Sequence, residues 1–332
     1  MRMYLTDFPR FVPVSMYDLA IQKMVKKLRR QDGILSIFQI GSTNNPGISD
    51  IDMLVVFEDG IKCNLNPLED LSKTDRYLFS HNLYGISKTS FFESQRYTFF
   101  HNYNLLWGEE LLLGESDLSR DEIQVLKNQT ALEYLIQMFV SSTIELTYGI
   151  VKVRGLLMHA KALSYDLEFL NVSTGRLFDL IQTIILWRNR WFDKRPDNQK
   201  LKKWIQEFYE ELTALLEATL QTIEFYLPDW ANLRIARNVK LVRSEKFGYM
   251  HNGIALPTMF GDLGRKYFNV QHRFNTFGFR VPITASEIPD ELCRRFSFVR
   301  NIKMEQSLNL PYFMSLTSPL NMSLQMIAEA ND

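Results

Sequence analysis

Two acidic residues, Asp50 and Asp52, stand at the start of an apolar run in this sequence of 332 residues. Side chains alternate across a strand, so two acids two positions apart project from one face while Ile51 and Met53 point to the other. Adjacent carboxylates repel each other unless a cation lies between them. Mg²⁺ takes one or two carboxylates and completes its coordination with water and substrate phosphates. The pair therefore predicts a metal site.

A glycine and a serine, Gly41 and Ser42, precede the acids across a loop of seven residues rich in Asn, Pro, Gly and Ser. Gly41 lets the backbone come close to a phosphate because it has no side chain. Ser42 offers a hydroxyl and an N–H group to phosphate oxygens. Beside a metal-binding pair of acids, this combination favours a nucleotide ligand. The alternative is a solvated acidic strand end next to an ordinary turn.

The elements that must position these residues are two short strands on either side of the loop. Residues 34–40 (ILSIFQI) and 53–57 (MLVVF) are mostly apolar and rich in β-forming types, so both predict buried strands. Gly41 and Ser42 then follow the first strand. Asp50 and Asp52 are expected to open the second.

The sequence I-G-S at 40–42, seven further residues, and D-I-D-M at 50–53 resembles the signature of the DNA polymerase β-like nucleotidyltransferase superfamily. That signature runs hydrophobic, Gly, Gly or Ser, a spacer of similar length, then Asp, hydrophobic, Asp or Glu, hydrophobic. The organisation of the chain resembles that of the small bacterial and archaeal members, which carry a helical domain after the catalytic sheet. The motif lies in the first third of the chain.

The resemblance implies transfer of a nucleoside monophosphate from a nucleoside triphosphate, with ATP expected, to an acceptor hydroxyl with release of pyrophosphate. It implies that Asp50 and Asp52 are catalytic and hold Mg²⁺, and that Gly41 and Ser42 hold the triphosphate. The acceptor stays open among small molecules, proteins and RNA.

The superfamily usually has a third carboxylate on the next strand, for which residues 81–92 are the candidate. The resemblance places Asn82 where that acid is expected. Asn is neutral and cannot act as a base toward an attacking hydroxyl. Asp75 and Glu93 are the nearby substitutes. The departure opens a second hypothesis, a nucleotide-binding or regulatory scaffold that has lost catalysis.

Composition and periodicity predict an α+β protein in three parts. With 46% hydrophobic and 13% aromatic residues, the chain can build a sizeable core. Residues 1–115 are expected to form a nucleotidyltransferase-like domain, a mixed sheet with flanking helices. Residues 116–230 are expected to form a helical bundle, and 231–332 a basic, partly β extension. In that extension, Asn-Gly at 252–253 predicts a hairpin and 319–330 a closing helix.

The charge distribution is neutral overall and uneven locally. The formal net charge is zero, which gives no global reason to expect a nucleic-acid or anionic-membrane partner. Residues 231–332, however, carry 13 Lys and Arg against 8 acids, interspersed with Phe and Tyr. Such interleaving can bind single-stranded nucleic acid or form an ordinary surface. A nucleic-acid-binding module in this basic region is the third hypothesis.

Cysteine usage and hydropathy bear on location. The two cysteines, Cys63 and Cys293, predict neither a disulfide framework nor a metal site. No apolar run approaches the roughly 18 residues that a membrane-spanning helix needs. We therefore expect a cytoplasmic protein without a membrane partner.

Overall fold

The chain forms two compact units, and both combine helices with strands. The site unit holds Arg10–Glu122 together with the described residues from Cys293 onward. The helical unit holds Ile123–Leu292 and the described part of Met1–Pro9. The predicted three-part division at residues 115 and 230 remains a prediction. The structure, a computed structural model, describes residues 3–99, 102–111, 114, 117–231, 233–255 and 262–316.

Helices and strands alternate in the site unit, whereas helices dominate most of the helical unit. The predicted α+β class is confirmed. The strands are β1 (Tyr4–Thr6), β2 (Ile34–Ile40), β3 (Asp52–Phe57), β4 (Tyr84–Ser87), β5 (Tyr103–Gly108), β6 (Ile150–Lys152), β7 (Arg234–Ala236), β8 (Val239–Arg243), β9 (Gly248–Gly253) and β10 (Asn275–Val281). The helices are α1 (Val14–Leu28), α2 (Lys73–Leu78), α3 (Lys88–Ser94), α4 (Arg120–Tyr148), α5 (Val153–Phe169), α6 (Arg176–Asn189), α7 (Trp191–Lys194), α8 (Asn198–Thr222), α9 (Asp262–Val270) and α10 (Asp290–Asn309).

The site unit is built on a four-stranded mixed sheet in the order β4-β3-β2-β5. Strand β2 is antiparallel to both β3 and β5, and β3 is parallel to β4. The two strands predicted around the loop are present, and β2 spans the predicted residues. The register places Ile40 opposite Asp52. The loop at 41–51 therefore leaves and re-enters the sheet at the same end of its strands.

Both faces of the central strand β3 are buried, which explains its continuous apolar run. Met53, Val55 and Phe57 belong to a core cluster that includes buried residues of α1. Leu54 and Val56 belong to a second cluster on the opposite face, which includes apolar residues of α10. The sheet is thus held between helices that lie far apart in the sequence.

The residues after α10 complete the site unit. The ring of Phe313 lies edge-on to Phe57, with 5.2 Å between the ring centroids. Gly85 donates its N–H to the carbonyl of Met314 (2.9 Å), and Met314 donates to the carbonyl of Leu83 (2.8 Å). A Cβ at Gly85 would lie 2.7 Å from Phe313, so a glycine is needed for this close approach. Met314 thereby covers the outer edge of β4, which would otherwise expose unpaired backbone groups.

The helical unit contains α4 to α8, in the region where the sequence predicts a helical bundle, and a second sheet ordered β7-β8-β10-β9. The hairpin predicted at 252–253 is wrong, because Gly253 ends β9 and the antiparallel partner is β10, in which Thr276 lies opposite Asn252. The helix predicted at 319–330 lies outside the described residues. None of the described helices is both long and apolar enough to span a bilayer.

One partly buried acid in the helical unit makes folding sensitive to pH. Glu145 of α4 accepts a hydrogen bond from the backbone N–H of Lys152 at 3.4 Å. Burial raises the pKa of Glu145 to about 7, although this hydrogen bond acts in the opposite direction. Between about pH 4.5 and 7 the unfolded chain therefore loses a proton that the folded chain keeps, and stability falls as the pH rises through this window.

We expect Glu145→Gln to remove this loss, because glutamine does not ionise. Relative to the wild type, the variant should gain about 1 to 2 kcal/mol between pH 4.5 and 7.5, after allowance for partial exposure. Urea unfolding of both proteins across that range measures the difference. Glu210→Gln, at an exposed position of α8, is the control. A difference between wild type and Glu145→Gln that stays constant with pH would contradict the assignment.

Candidate functional site

Three side chains converge where the loop at 41–51 meets the sheet. Donor atoms of Asp50, Asp52 and His81 all lie within 4.8 Å of one another, and among the described residues they form the one group of this kind that could hold a metal ion. Nε2 of His81 lies 2.7 Å from Oδ1 of Asp52 and 3.8 Å from Oδ2 of Asp50. All three side chains are partly accessible to solvent.

Two tyrosines hold the loop in place from the side of the helices. The hydroxyl of Tyr17, on α1, donates to the carbonyl of Ser49 (2.7 Å) and accepts from the N–H of Gly47 (2.8 Å). The hydroxyl of Tyr77, on α2, donates to the carbonyl of Gly47 (2.6 Å). Tyr17 is almost fully buried. The backbone that leads into the acidic pair is therefore fixed by buried hydrogen bonds.

The positions of the two acids differ slightly from the prediction. Asp52 is the first residue of β3, but Asp50 lies two residues before it, where the N–H of Ile51 donates to the carbonyl of Leu78 at 2.9 Å. Ile51 is buried as expected. The hydroxyl of Ser80 donates to Oδ2 of Asp50. Both carboxylates are brought together although only one belongs to the strand.

His81 links the two acids to β4. Its Nδ1–H donates to the carbonyl of Asn82 (2.7 Å) and its Nε2–H donates to Asp52, so both ring nitrogens carry protons. Burial lowers the pKa of His81, but the hydrogen bond to Asp52 and the charges of both carboxylates outweigh it and raise the pKa to about 9. The ring also lies edge-on to Tyr84, with 5.4 Å between the centroids. The site thus contains an imidazolium between two acids.

The pKa of Asp52 is also shifted. Burial raises the pKa of its carboxyl group and the charge of Asp50 adds to this, while the hydrogen bond from His81 acts in the opposite direction. The phenol of Tyr84 responds to the same charges: burial, Asp52 and Asp50 together raise its pKa well above the usual range. This end of the sheet therefore favours bound positive charge.

Gly41 lies beside Asp52, and Ser42 follows it at the start of the loop. Gly41 adopts a left-handed backbone conformation with φ of +73°, and a Cβ there would lie 3.3 Å from Oδ2 of Asp52. Its carbonyl accepts a hydrogen bond from the side chain of Asn102 at 3.1 Å. Ser42 is exposed, and its Oγ accepts from the N–H of Asn44 at 3.2 Å. A side chain at position 41 would crowd the carboxylate.

The structure does not bring Asp75 or Glu93 into the group of donor atoms. Asp75 is buried at the start of α2, where its carboxylate accepts from the hydroxyl of Ser72 at 2.8 Å. Glu93 is an exposed residue of α3. Asn82 is exposed and contacts His81 through its backbone carbonyl. No third carboxylate from these three positions joins the pair.

Sequence reasoning missed His81. The residue precedes β4 in a connection without hydrophobic periodicity, so no local pattern marks it. Its place in the site follows from the parallel pairing of β4 with β3, which puts Tyr84 opposite Leu54 and brings the preceding loop to the acids. A polar residue just before a strand parallel to β3 is the signal that could have identified it.

The donor set fits a divalent cation. Carboxylate oxygens suit Mg²⁺, and a neutral imidazole nitrogen suits Mn²⁺ or Zn²⁺ as a further ligand. Asp50 and Asp52 are the residues that would hold Mg²⁺. His81 could join them only after losing the proton on Nε2, because a ligand nitrogen must be unprotonated.

Comparisons with known proteins identify no relative of this chain. No protein-family model, curated protein or solved structure matches it. The chemistry of the site is therefore inferred from its own residues.

We expect Asp52→Asn to lower the pKa of His81, because the variant removes both the nearest charge and the ionic hydrogen bond. The shift should exceed one unit, which corresponds to about 1.4 kcal/mol. An NMR titration of the histidine ring protons in the presence of EDTA measures it, and the spectrum of His81→Gln identifies the resonance. Asp59→Asn, which removes an exposed carboxylate bonded to Thr89, is the control. A His81 pKa that is the same in Asp52→Asn and wild type would contradict the geometry.

Proposed function

We propose that this protein is a divalent-metal-dependent nucleotidyltransferase that moves a nucleoside monophosphate from a nucleoside triphosphate to an acceptor hydroxyl and releases pyrophosphate. The observation that carries the proposal is the meeting of Asp50, Asp52 and the left-handed Gly41 at one edge of a mixed sheet. Carboxylates for a metal and a bare backbone for phosphates are the two elements that this reaction needs in one place.

Each residue has a role that its position allows. Asp50 and Asp52 hold Mg²⁺, which when bound neutralises charge on the transferring phosphoryl group. Gly41 leaves room for the triphosphate beside Asp52, and the exposed hydroxyl of Ser42 donates to a phosphate oxygen. The tyrosine hydrogen bonds to Gly47 and Ser49 keep the loop in one conformation, which lowers the entropy lost on binding.

His81 is the candidate for proton transfer, since its Nε2 lies at the acids. With both ring nitrogens protonated and a pKa of about 9, it can donate this proton near neutral pH but can accept one only after it has been deprotonated. In the superfamily that the sequence resembles, a third carboxylate usually stands in this region. A histidine in its place can hold and move a proton without adding negative charge to the pair.

A second candidate function is a nucleotide-binding scaffold without turnover. The observation that favours it is the charge of His81, which places a cation rather than a third carboxylate beside Asp50 and Asp52. Both functions require nucleotide binding at the same residues. They differ in whether pyrophosphate is released.

We expect Asp50→Asn and Asp52→Asn each to weaken binding of Mg·ATP at least tenfold, about 1.4 kcal/mol, because each removes a metal ligand. Both variants should fold, since each relieves repulsion between two acids. Isothermal titration calorimetry and thermal melts measure the two effects. Glu93→Gln, at an exposed position of α3, is the control. If both Asp variants bind Mg·ATP as the wild type does, the site is assigned wrongly.

A pyrophosphate-release assay on the wild type then separates the two functions. The hydroxyl acceptors are tested in panels of small molecules, proteins and RNA. Pyrophosphate release that depends on Mg²⁺ and on one of these acceptors supports the transferase. Tight binding of Mg·ATP without release across these panels supports the scaffold.

We expect His81→Asp to tighten Mg²⁺ binding at least tenfold, or about 1.4 kcal/mol, because it replaces a positive charge by a third carboxylate at the same place. Asn82→Asp adds the same acid at the neighbouring exposed position and should have a smaller effect. Calorimetry with Mg²⁺ alone measures both variants. A larger gain in Asn82→Asp than in His81→Asp would assign the third position to residue 82.

A further inference from the structure

The second sheet is covered on one face by α4. Phe277 and Phe279 of β10 are buried, and their rings lie 6.2 Å from Tyr148 and 5.6 Å from Phe139, measured between centroids. The side chains that alternate with them therefore project from the opposite face, which we call the open face.

Strand register identifies the residues of the open face. Arg234 pairs with Lys240, Lys240 pairs with Gly278, and Gly278 pairs with Met250, so one row crosses all four strands. Residues opposite each other in a sheet share a face. Arg280 lies two residues beyond Gly278 on β10 and projects on the same side. The open face therefore contains three cations around a glycine and a methionine.

The centre of the open face is flat and apolar. A Cβ at Gly278 would lie 3.5 Å from Cε of Met250 and 3.7 Å from Cγ2 of Val242, so both side chains lie down over the glycine from its two sides. Met250 is still 48% exposed. An accessible apolar strip thus runs across the middle of the sheet between the charged residues.

Two of the cations beside this strip, Arg280 and Lys240, make no ion pair with a described residue. Nε of Arg280 is buried and makes no hydrogen bond to any described residue, and its Nη2 would lie 3.2 Å from a Cβ at Gly248. Lys240 is exposed and makes no ion pair with a described residue. Residues 234–280 contain nine Lys and Arg against two acids, Glu245 and Asp262. Neither acid occupies an outward position of the strands.

We propose that the open face binds single-stranded nucleic acid. Phosphates would pair with Lys240 and Arg280, while unpaired bases would lie on Met250 and Val242. A duplex keeps its bases stacked inside and offers this surface little besides its phosphates, whereas a single strand supplies both charge and flat apolar area. An anionic membrane would fit less well, because Met250 lies flat on the sheet instead of projecting beyond the cations. The inference is independent of the acidic site.

The test is fluorescence anisotropy with the full chain and labelled oligo(U) and oligo(dT) of about 20 nucleotides, with EDTA present and salt varied. The wild type should bind more weakly as salt rises. Lys240→Gln combined with Arg280→Gln should weaken binding at least tenfold at constant salt. It should also reduce the slope of log affinity against log salt by about 1.4, since each phosphate contact on a single strand contributes about 0.7.

A matched control removes one Arg and one Lys from exposed positions elsewhere in the helical unit, through Arg190→Gln combined with Lys194→Gln. It should leave affinity and slope unchanged. Met250→Ala should weaken binding several-fold without changing the slope, because it removes apolar contact and no charge. Asp50→Asn should bind as the wild type does, which separates this proposal from the transferase.

Four results would overturn the proposal, and the first three concern oligonucleotides. They are no binding of either oligonucleotide at low salt, equal losses in the two double variants, and tighter binding of a duplex of equal length than of the single strand. The fourth concerns vesicles. The proposal is overturned if the wild type binds phosphatidylserine vesicles but not oligonucleotides, and if the double variant Lys240→Gln/Arg280→Gln binds these vesicles as well as the wild type does. Thermal melts of every variant show whether a loss reflects unfolding.

Discussion

The site depends on one unfavourable interaction, the repulsion between the carboxylates of Asp50 and Asp52. Two like charges 4.8 Å apart, the upper limit of the separation here, repel by about 3.5 kcal/mol at an effective dielectric constant of 20. The surrounding structure holds them together nonetheless. Tyr17 and Tyr77 fix the incoming loop, and His81 places a positive charge against both acids. A pair held in this way attracts cations because the backbone has little freedom to separate the charges.

The two strands and the loop between them could be predicted, because each is determined by residues that are neighbours in the sequence. Apolar runs of five to seven residues mark β2 and β3, and the spacing of Gly41 from the acids places the loop between them. The sequence predicted that β3 begins at Asp50, but it begins two residues later, at Asp52. The N–H of Ile51 donates to the carbonyl of Leu78, a residue distant in the sequence, instead of to a neighbouring strand. The place of His81 in the site depends on the pairing of β4 with β3. The residues next to it in the chain give no signal that would predict this place.

The C-terminal part shows a second physical reason for error. Asn-Gly favours a tight turn, yet β9 ends there and finds its partner only in β10, because burial of Phe277 and Phe279 against α4 outweighs a local turn preference. Helix α10 was missed since buried Arg295 and Lys303 interrupt its apolar side. The apolar side of α10 can be recognised only when the sheet against which Phe298 packs is known.

The contribution of α10 to the site unit also has a consequence for biosynthesis. Leu54, Val56 and their neighbours on that face of the sheet are covered by residues that emerge from the ribosome only after the whole segment 123–292 has been made. At typical elongation rates that interval lasts about 10 to 30 s. During it the nascent site unit lacks the part of this cover that Phe298, Val299 and Ile302 supply, and the edge of β4 is unpaired. Apolar surface and an unpaired strand edge that stay exposed for this long make the nascent site unit prone to aggregation until α10 has been synthesised.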